Sequence, residues 1–164
     1  MRTVILSVVL AFCARAADTP PSPADTFERM KALAGEWEAD LQGFGKVSDS
    51  IRLVSNGKAI EETLGTPSDN EVSLYTRDGN RIVLTHFCAL TADGHQVRLE
   101  TVPLAGVQDR IVFAFHDAMN LHNRAAPHMR QVIMTFTDRG HFSEKWTKAE
   151  NGRDTIFEMN FVRR

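Results

Sequence analysis

Leu74-Tyr75-Thr76-Arg77-Asp78-Gly79-Asn80-Arg81-Ile82-Val83-Leu84-Thr85-His86-Phe87-Cys88-Ala89-Leu90 is the stretch that decides the fold. Two runs rich in β-branched and aromatic residues flank Asp78-Gly79, a dipeptide suited to a tight hairpin because both residues tolerate positive φ. The spacing predicts strands over 71–77 and 80–90. In the second of these, Ile82, Leu84, His86 and Cys88 recur at every second position and share one face. A histidine and a cysteine on an otherwise apolar face need a packing reason or a ligand.

The same grammar repeats to either side. Asn56-Gly57, Asp93-Gly94 and Asn151-Gly152 are further tight-turn signals, and Asp138-Arg139-Gly140 suits a slightly longer turn. They divide the chain into ten expected strands, near 36–43, 46–55, 58–65, 71–77, 80–90, 95–102, 109–116, 128–137, 141–149 and 153–163. Alternation supports two-faced strands. Val97, Leu99 and Thr101 oppose Gln96, Arg98 and Glu100, while Ile111, Phe113 and Phe115 line one face. Val132, Met134 and Phe136 line another, which continues back to Arg130 and His128. The longest interruption runs from Asp117 to Pro127, where Ala118-Met119-Asn120-Leu121 suits one turn of helix.

Consecutive hairpins without crossover helices predict an antiparallel meander. Closing such a sheet removes its two exposed edges. The expected fold is therefore all-β, an up-and-down barrel of about ten strands, of a size that encloses a small-ligand cavity. A two-sheet sandwich is the runner-up, but its Greek-key connections are hard to place in this order. One short helix precedes the strands. Asp25 suits its cap, Glu28 follows three residues on, and Phe27, Met30 and Leu33 form one apolar stripe that Gly35 ends.

The amino terminus reads as a secretory signal peptide over 1–16. Met1-Arg2 is basic, Val4 to Phe12 is apolar, and Ala14-Arg15-Ala16 fits the cleavage pattern. Cys13 follows Phe12, which fits a lipid-anchoring motif poorly. A Pro-rich linker over 17–24 leads into a single domain over 25–164. A periplasmic or secreted location follows from that leader. The whole chain carries 19 Lys+Arg against 21 Asp+Glu. Cleavage takes away Arg2 and Arg15 and no acidic residue, moving the formal charge from −2 to about −4. That balance argues against a nucleic-acid partner, which demands a basic face. The apolar run is too short to span a membrane. Cleavage also leaves Cys88 without a second cysteine, so the core alone must hold the fold.

Gly35-Glu36-Trp37, entering the first strand after a short helix, resembles the Gly-x-Trp signature of lipocalins and their calycin relatives. That resemblance implies barrel closure by an arginine from the end of the last strand, here Arg163 or Arg164, lying over Trp37. Phe27 to Trp37, Ser55 to Leu64, Leu74 to Gly79 and Leu84 to Leu90 together resemble a family of uncharacterised secreted bacterial proteins with a lipocalin-like domain of unknown function. The resemblance implies the barrel and export, and no activity. The chain departs from that pattern twice. Thr91-Ala92-Asp93-Gly94 replaces an Asn-Gln-Pro-like turn, and His128-Met129-Arg130 replaces His-Met-His.

Several side chains are candidates to line a cavity: His86, Cys88, His128, Arg130, Glu62, Glu144 and Trp146. Ile60, Glu62 and Leu64 share a face, so an inward Glu62 needs a partner such as Arg52 or a ligand. Glu144 and Trp146 share a face likewise. Arg130, on the His128 face, suits bidentate binding of a carboxylate or phosphate. Zinc accepts both imidazole and thiolate, but a structural site needs four ligands, and His128, His141 and Glu144 are the further candidates. No Gly-x-Ser-x-Gly elbow or phosphate-binding glycine loop occurs, so no catalytic residue is assigned and an enzyme is not expected. No motif calls for a cofactor. The leading expectation is a barrel that binds a small hydrophobic or amphiphilic molecule. A metal- or haem-binding barrel using His86 or His128, and an assembly subunit without a ligand, are the alternatives.

Overall fold

The structure, a computed structural model, describes residues 21–66, 68–88, 94–104 and 107–164. The expected leader over 1–16, the first part of the linker, and Ala89-Leu90 with the Asp93 half of the following turn lie outside these residues.

Helix α1 (Pro23–Lys31) precedes ten strands. They are β1 (Gly35–Leu41), β2 (Gly45–Val54), β3 (Ala59–Thr66), β4 (Asp69–Asp78), β5 (Arg81–Cys88), β6 (His95–Val102), β7 (Arg110–Met119), β8 (His128–Phe136), β9 (His141–Glu150) and β10 (Arg153–Arg163). Every strand is antiparallel to its chain neighbours, and β1 pairs with β10 to close the barrel through Trp37 opposite Arg163 and Glu38 opposite Val162. The meander needs no Greek-key connection, and the sandwich alternative falls away.

Local chemistry moves several expected boundaries. The helix is capped by Ser22, whose hydroxyl accepts from the Asp25 amide at 3.1 Å, and not by Asp25. Pro23 belongs to the helix and not to the linker, because the first helical amide has no intrahelical partner for proline to lose. The helix stops at Lys31. Gly35 instead opens β1 at φ 146°, and a side chain there would strike the Arg163 guanidinium.

Asp78 pairs with Arg81, so Gly79-Asn80 form the hairpin turn and Gly79 takes the positive φ of 59°. The turn sits one residue later than the spacing suggests. That slips the pairing by two, which leaves every side chain on its expected face. Asn151-Gly152 is a two-residue turn with both φ values positive, whereas Asn56-Gly57 lies in a four-residue connection between Val54 and Ala59. The helical turn expected at Ala118-Met119-Asn120-Leu121 does not form, because β7 runs on to Met119 and pairs Ala118 with Val97.

Two ends result. Around the start of β1 and the end of β10, Phe27, Met30 and Leu33 close the barrel above Trp37, Phe142 and Phe161. The opposite end, where β1, β3, β5, β7 and β9 finish, forms a mouth.

Candidate functional site

The β4–β5 hairpin brings three donor side chains to the mouth. Ser73 and His86 are direct pairing partners, and Glu71 and Cys88 lie two residues further toward the mouth on their respective strands. His86 is 1% exposed. Its Nδ1 lies 3.1 Å from Ser73 Oγ, and its Nε2 lies 3.3 Å from Glu71 Oε2. The Cys88 thiol donates to Glu71 Oε1 at 3.5 Å. The imidazole packs against Trp146 with ring centroids 4.6 Å apart. Imidazole, thiol and carboxylate are three types of metal-ligating group, and their ligating atoms all lie within 4.8 Å of one another.

Deeper in the barrel, acids from opposite walls meet. Tyr75 donates to Glu62 Oε2 at 2.7 Å, and the Trp146 indole donates to Glu144 Oε2 at 2.8 Å. Asp49, Glu62 and Glu144 are all fully buried, with no buried lysine or arginine among the described residues. Burial pushes the Glu144 carboxyl well above its ordinary value, and the neighbouring Glu62 and Asp49 carboxyls push it further. Burial also raises Asp49, with Glu62 and Glu36 adding to the effect. Burial beside Glu62 and Glu144 likewise raises the Tyr75 hydroxyl. A carboxyl that keeps its proton donates where an ionised one repels, so the cluster persists in a buried interior. The partner of Glu62 is therefore Tyr75 and not Arg52, which is exposed.

Of the sequence candidates, His86, Cys88, Glu62, Glu144 and Trp146 are buried inside the barrel. His128 is buried too, but it donates from Nδ1 to the Ala126 carbonyl at 2.8 Å, packs on Phe115, and stands apart from the Glu71 group. Arg130 does not join the His128 face. The pairing register shifts between Met129 and Gln131, and this bulge turns Arg130 outward to an ion pair with Asp154. His141 pairs with Asp138 outside the barrel, so it supplies no inner ligand. Arg163 lies over the Trp37 ring with Cζ 4.0 Å from its centroid, and donates to the carbonyls of Arg139, Ala34 and Ala32. Arg164 instead pairs with Glu38.

Asp49, Glu71, Ser73 and Tyr75 were not anticipated. Asp49 does carry a readable signal, because it alternates with Val47 and Ile51 on an apolar face. Glu71 follows from counting back along the hairpin: a turn at Asp78-Gly79 sets it opposite His86, and the observed turn at Gly79-Asn80 sets it opposite Cys88.

A cavity of about 180 Å³ occupies the mouth. Leu41, Val47, Leu64, Met129 and Met159 give it an apolar wall, and Glu71 and Trp146 reach it from the donor cluster. Phe44, two-thirds exposed on the β1–β2 turn, overhangs it. A second hollow of about 260 Å³ lies at the other end, between the start of α1 and the β6–β7 connection, with Arg110 as its one titratable lining residue. The chemistry is concentrated at the mouth.

No family model matches this chain, and no curated protein matches it. Among solved structures it resembles a protein of unknown function from the DUF3598 family of Nostoc punctiforme, with a TM-score of 0.56 and 9% sequence identity. The likeness covers 93% of this chain and 53% of that one, so this chain spans about half the length of its structural neighbour. At that identity the comparison speaks for the fold alone: this is a closed ten-stranded barrel similar in architecture to part of a DUF3598 protein.

Proposed function

We propose that this chain is an exported, lipocalin-like barrel that binds a small, mostly apolar or amphiphilic molecule at its mouth, acting as a binding protein and not as an enzyme. The mouth cavity carries the proposal. It joins an apolar wall to a few converging polar groups, the composition usual for small-molecule sites. Its 180 Å³ falls below the roughly 300–1,000 Å³ of pockets that engulf a drug-sized ligand. That size suits one end of an amphiphile and leaves a haem without room. The exposed Phe44 extends the apolar surface past the rim, where the rest of such a molecule would lie.

The two tryptophans supply the test, since Trp146 lines the cavity and Trp37 sits at the closed end. Decanoate titrated into the protein should quench tryptophan fluorescence saturably, at micromolar to low millimolar concentration. Trp37→Phe should keep the response and Trp146→Phe should lose it. A wild-type protein that shows no saturable response contradicts the binding reading. Export is tested separately by expression in a bacterial host. The processed protein should leave the cytoplasm and begin at Ala17, and retention with the leader intact would overturn that part.

A further inference from the structure

We propose that Glu71, His86 and Cys88 form a three-ligand site for a divalent transition metal, zinc in the first instance, with its fourth position open to the mouth cavity. The site is separate from the apolar wall and does not depend on the ligand proposed above.

The three side chains bring one ligating atom each within 4.8 Å of one another. Zinc bonds of about 2.0–2.3 Å at tetrahedral angles put neighbouring ligand atoms about 3.3–3.8 Å apart. The two oxygens of the Glu71 carboxylate face one partner each, Oε2 lying 3.3 Å from His86 Nε2 and Oε1 3.5 Å from Cys88 Sγ, so either oxygen can serve as the ligand after a small rotation. A buried imidazole nitrogen is normally hydrogen-bonded. His86 Nε2 is buried and makes no hydrogen bond among the described residues, yet it is aimed at this group. Ser73 Oγ accepts from Nδ1–H when the histidine is in the tautomer that leaves a lone pair on Nε2. Such an orienting hydrogen bond is what metal-bound histidines carry on their second nitrogen.

The surroundings point the same way. The barrel interior holds Asp49, Glu62 and Glu144, and no buried lysine or arginine among the described residues. His86 touches Trp146, whose indole bonds Glu144, so one aromatic ring links the imidazole to the acid layer. No buried cation among the described residues therefore competes with a metal at the mouth. Glu71 itself lines the cavity, which supplies a route in and room for a water or substrate atom in the fourth position. One thiolate, one imidazole and one carboxylate suit zinc or cobalt, while calcium and magnesium prefer oxygen ligands alone. Three protein ligands with an open position is the arrangement of reactive zinc sites, whereas structural zinc takes four. Binding releases the thiol proton to solvent and leaves the metal–thiolate bond in its place, with no change of oxidation state.

Cobalt(II) serves as the probe, added to full-length protein carrying Cys13→Ser so that Cys88 is the one thiol. One equivalent should bind, with a thiolate-to-cobalt charge-transfer band and the intense visible bands of four-coordinate cobalt. Zinc should bleach both. Cys88→Ser should abolish the charge-transfer band. His86→Gln and Glu71→Gln should each weaken binding by about 100-fold or more, and Ser73→Ala by about 10-fold through the misoriented imidazole. His128→Ala should change nothing. Circular dichroism of each metal-free variant checks that the barrel is intact. If a variant fails to fold, the spectrum of the parent protein decides alone. Absence of the charge-transfer band there, or binding that survives in folded Cys88→Ser and His86→Gln, overturns the site.

Discussion

The two ends of this barrel are built from the same hairpins and differ in what they enclose. At the closed end Phe142 stacks on Phe161 and meets Trp37 edge to face, α1 covers them, and Arg163 seals the rim against three carbonyls. At the mouth, histidine, cysteine and carboxylate stand beside a cavity. Stability and chemistry are thus segregated along the barrel axis. The one buried nitrogen of His86 that makes no hydrogen bond among the described residues is tolerable at the mouth because the aromatic end supplies the packing that holds the fold.

Breaking the closed end should produce the largest effect. Trp37→Ala empties a fully buried site and should cost about 3–5 kcal/mol in urea denaturation. A cost under about 1 kcal/mol would mean that the anchor lies elsewhere. Arg163→Ala removes the stacked cation and its carbonyl bonds and should cost about 1–3 kcal/mol. Neither change should alter cobalt binding at the mouth in protein that remains folded, and coupled losses would contradict the segregation of the two ends.

The layer between the ends should show itself in pH. Asp49 and Glu144 are raised above their ordinary values of 3.8 and 4.5. The folded chain therefore holds protons that the unfolded chain has released. Their contribution is fully present below about pH 4 and is lost as pH rises toward the folded values. Glu38 and Asp138 are lowered and act in the opposite sense, but Glu38 is only partly covered and Asp138 is exposed, so solvent screens both. Glu144→Gln keeps an acceptor for the Trp146 indole and cannot ionise. Its melting temperature should therefore fall less steeply than the parent's between pH 4 and 8, with a difference of a few degrees. Parallel profiles for the two proteins would contradict this account of the acids.

The smallest effect is expected outside the mouth. Arg130→Ala breaks an exposed ion pair with Asp154 and should cost less than about 1 kcal/mol. It should leave decanoate binding unchanged. Weakened binding would show that Arg130 does reach the ligand, as the strand alternation had suggested.

That last case shows where reading by alternation stops. Period-two patterning put His86 with Cys88 and Glu144 with Trp146 on shared faces, singled out Glu62 and left the direction of those faces open; all five are buried. It failed at Arg130 because one bulged residue reverses the face of everything before it, and a bulge leaves no mark in residue type. It failed differently at Glu71. The Asp-Gly signal located the hairpin, but the turn's true centre is one residue on. Only the correct register sets Glu71 beside Cys88. The helix cap slipped for a similar reason, since Ser22 and Asp25 are both good caps and Pro23 at the first position favours the earlier one.

By itself, the sequence determined the strands, their order and the closure of the sheet. Turn chemistry and alternation are local, and consecutive hairpins allow few other topologies. The tertiary structure decided which acids meet across the barrel, which face the bulge presents, and which three side chains converge at the mouth. Those are relations between residues on different strands, set by register and by packing across the interior, and no local pattern encodes them.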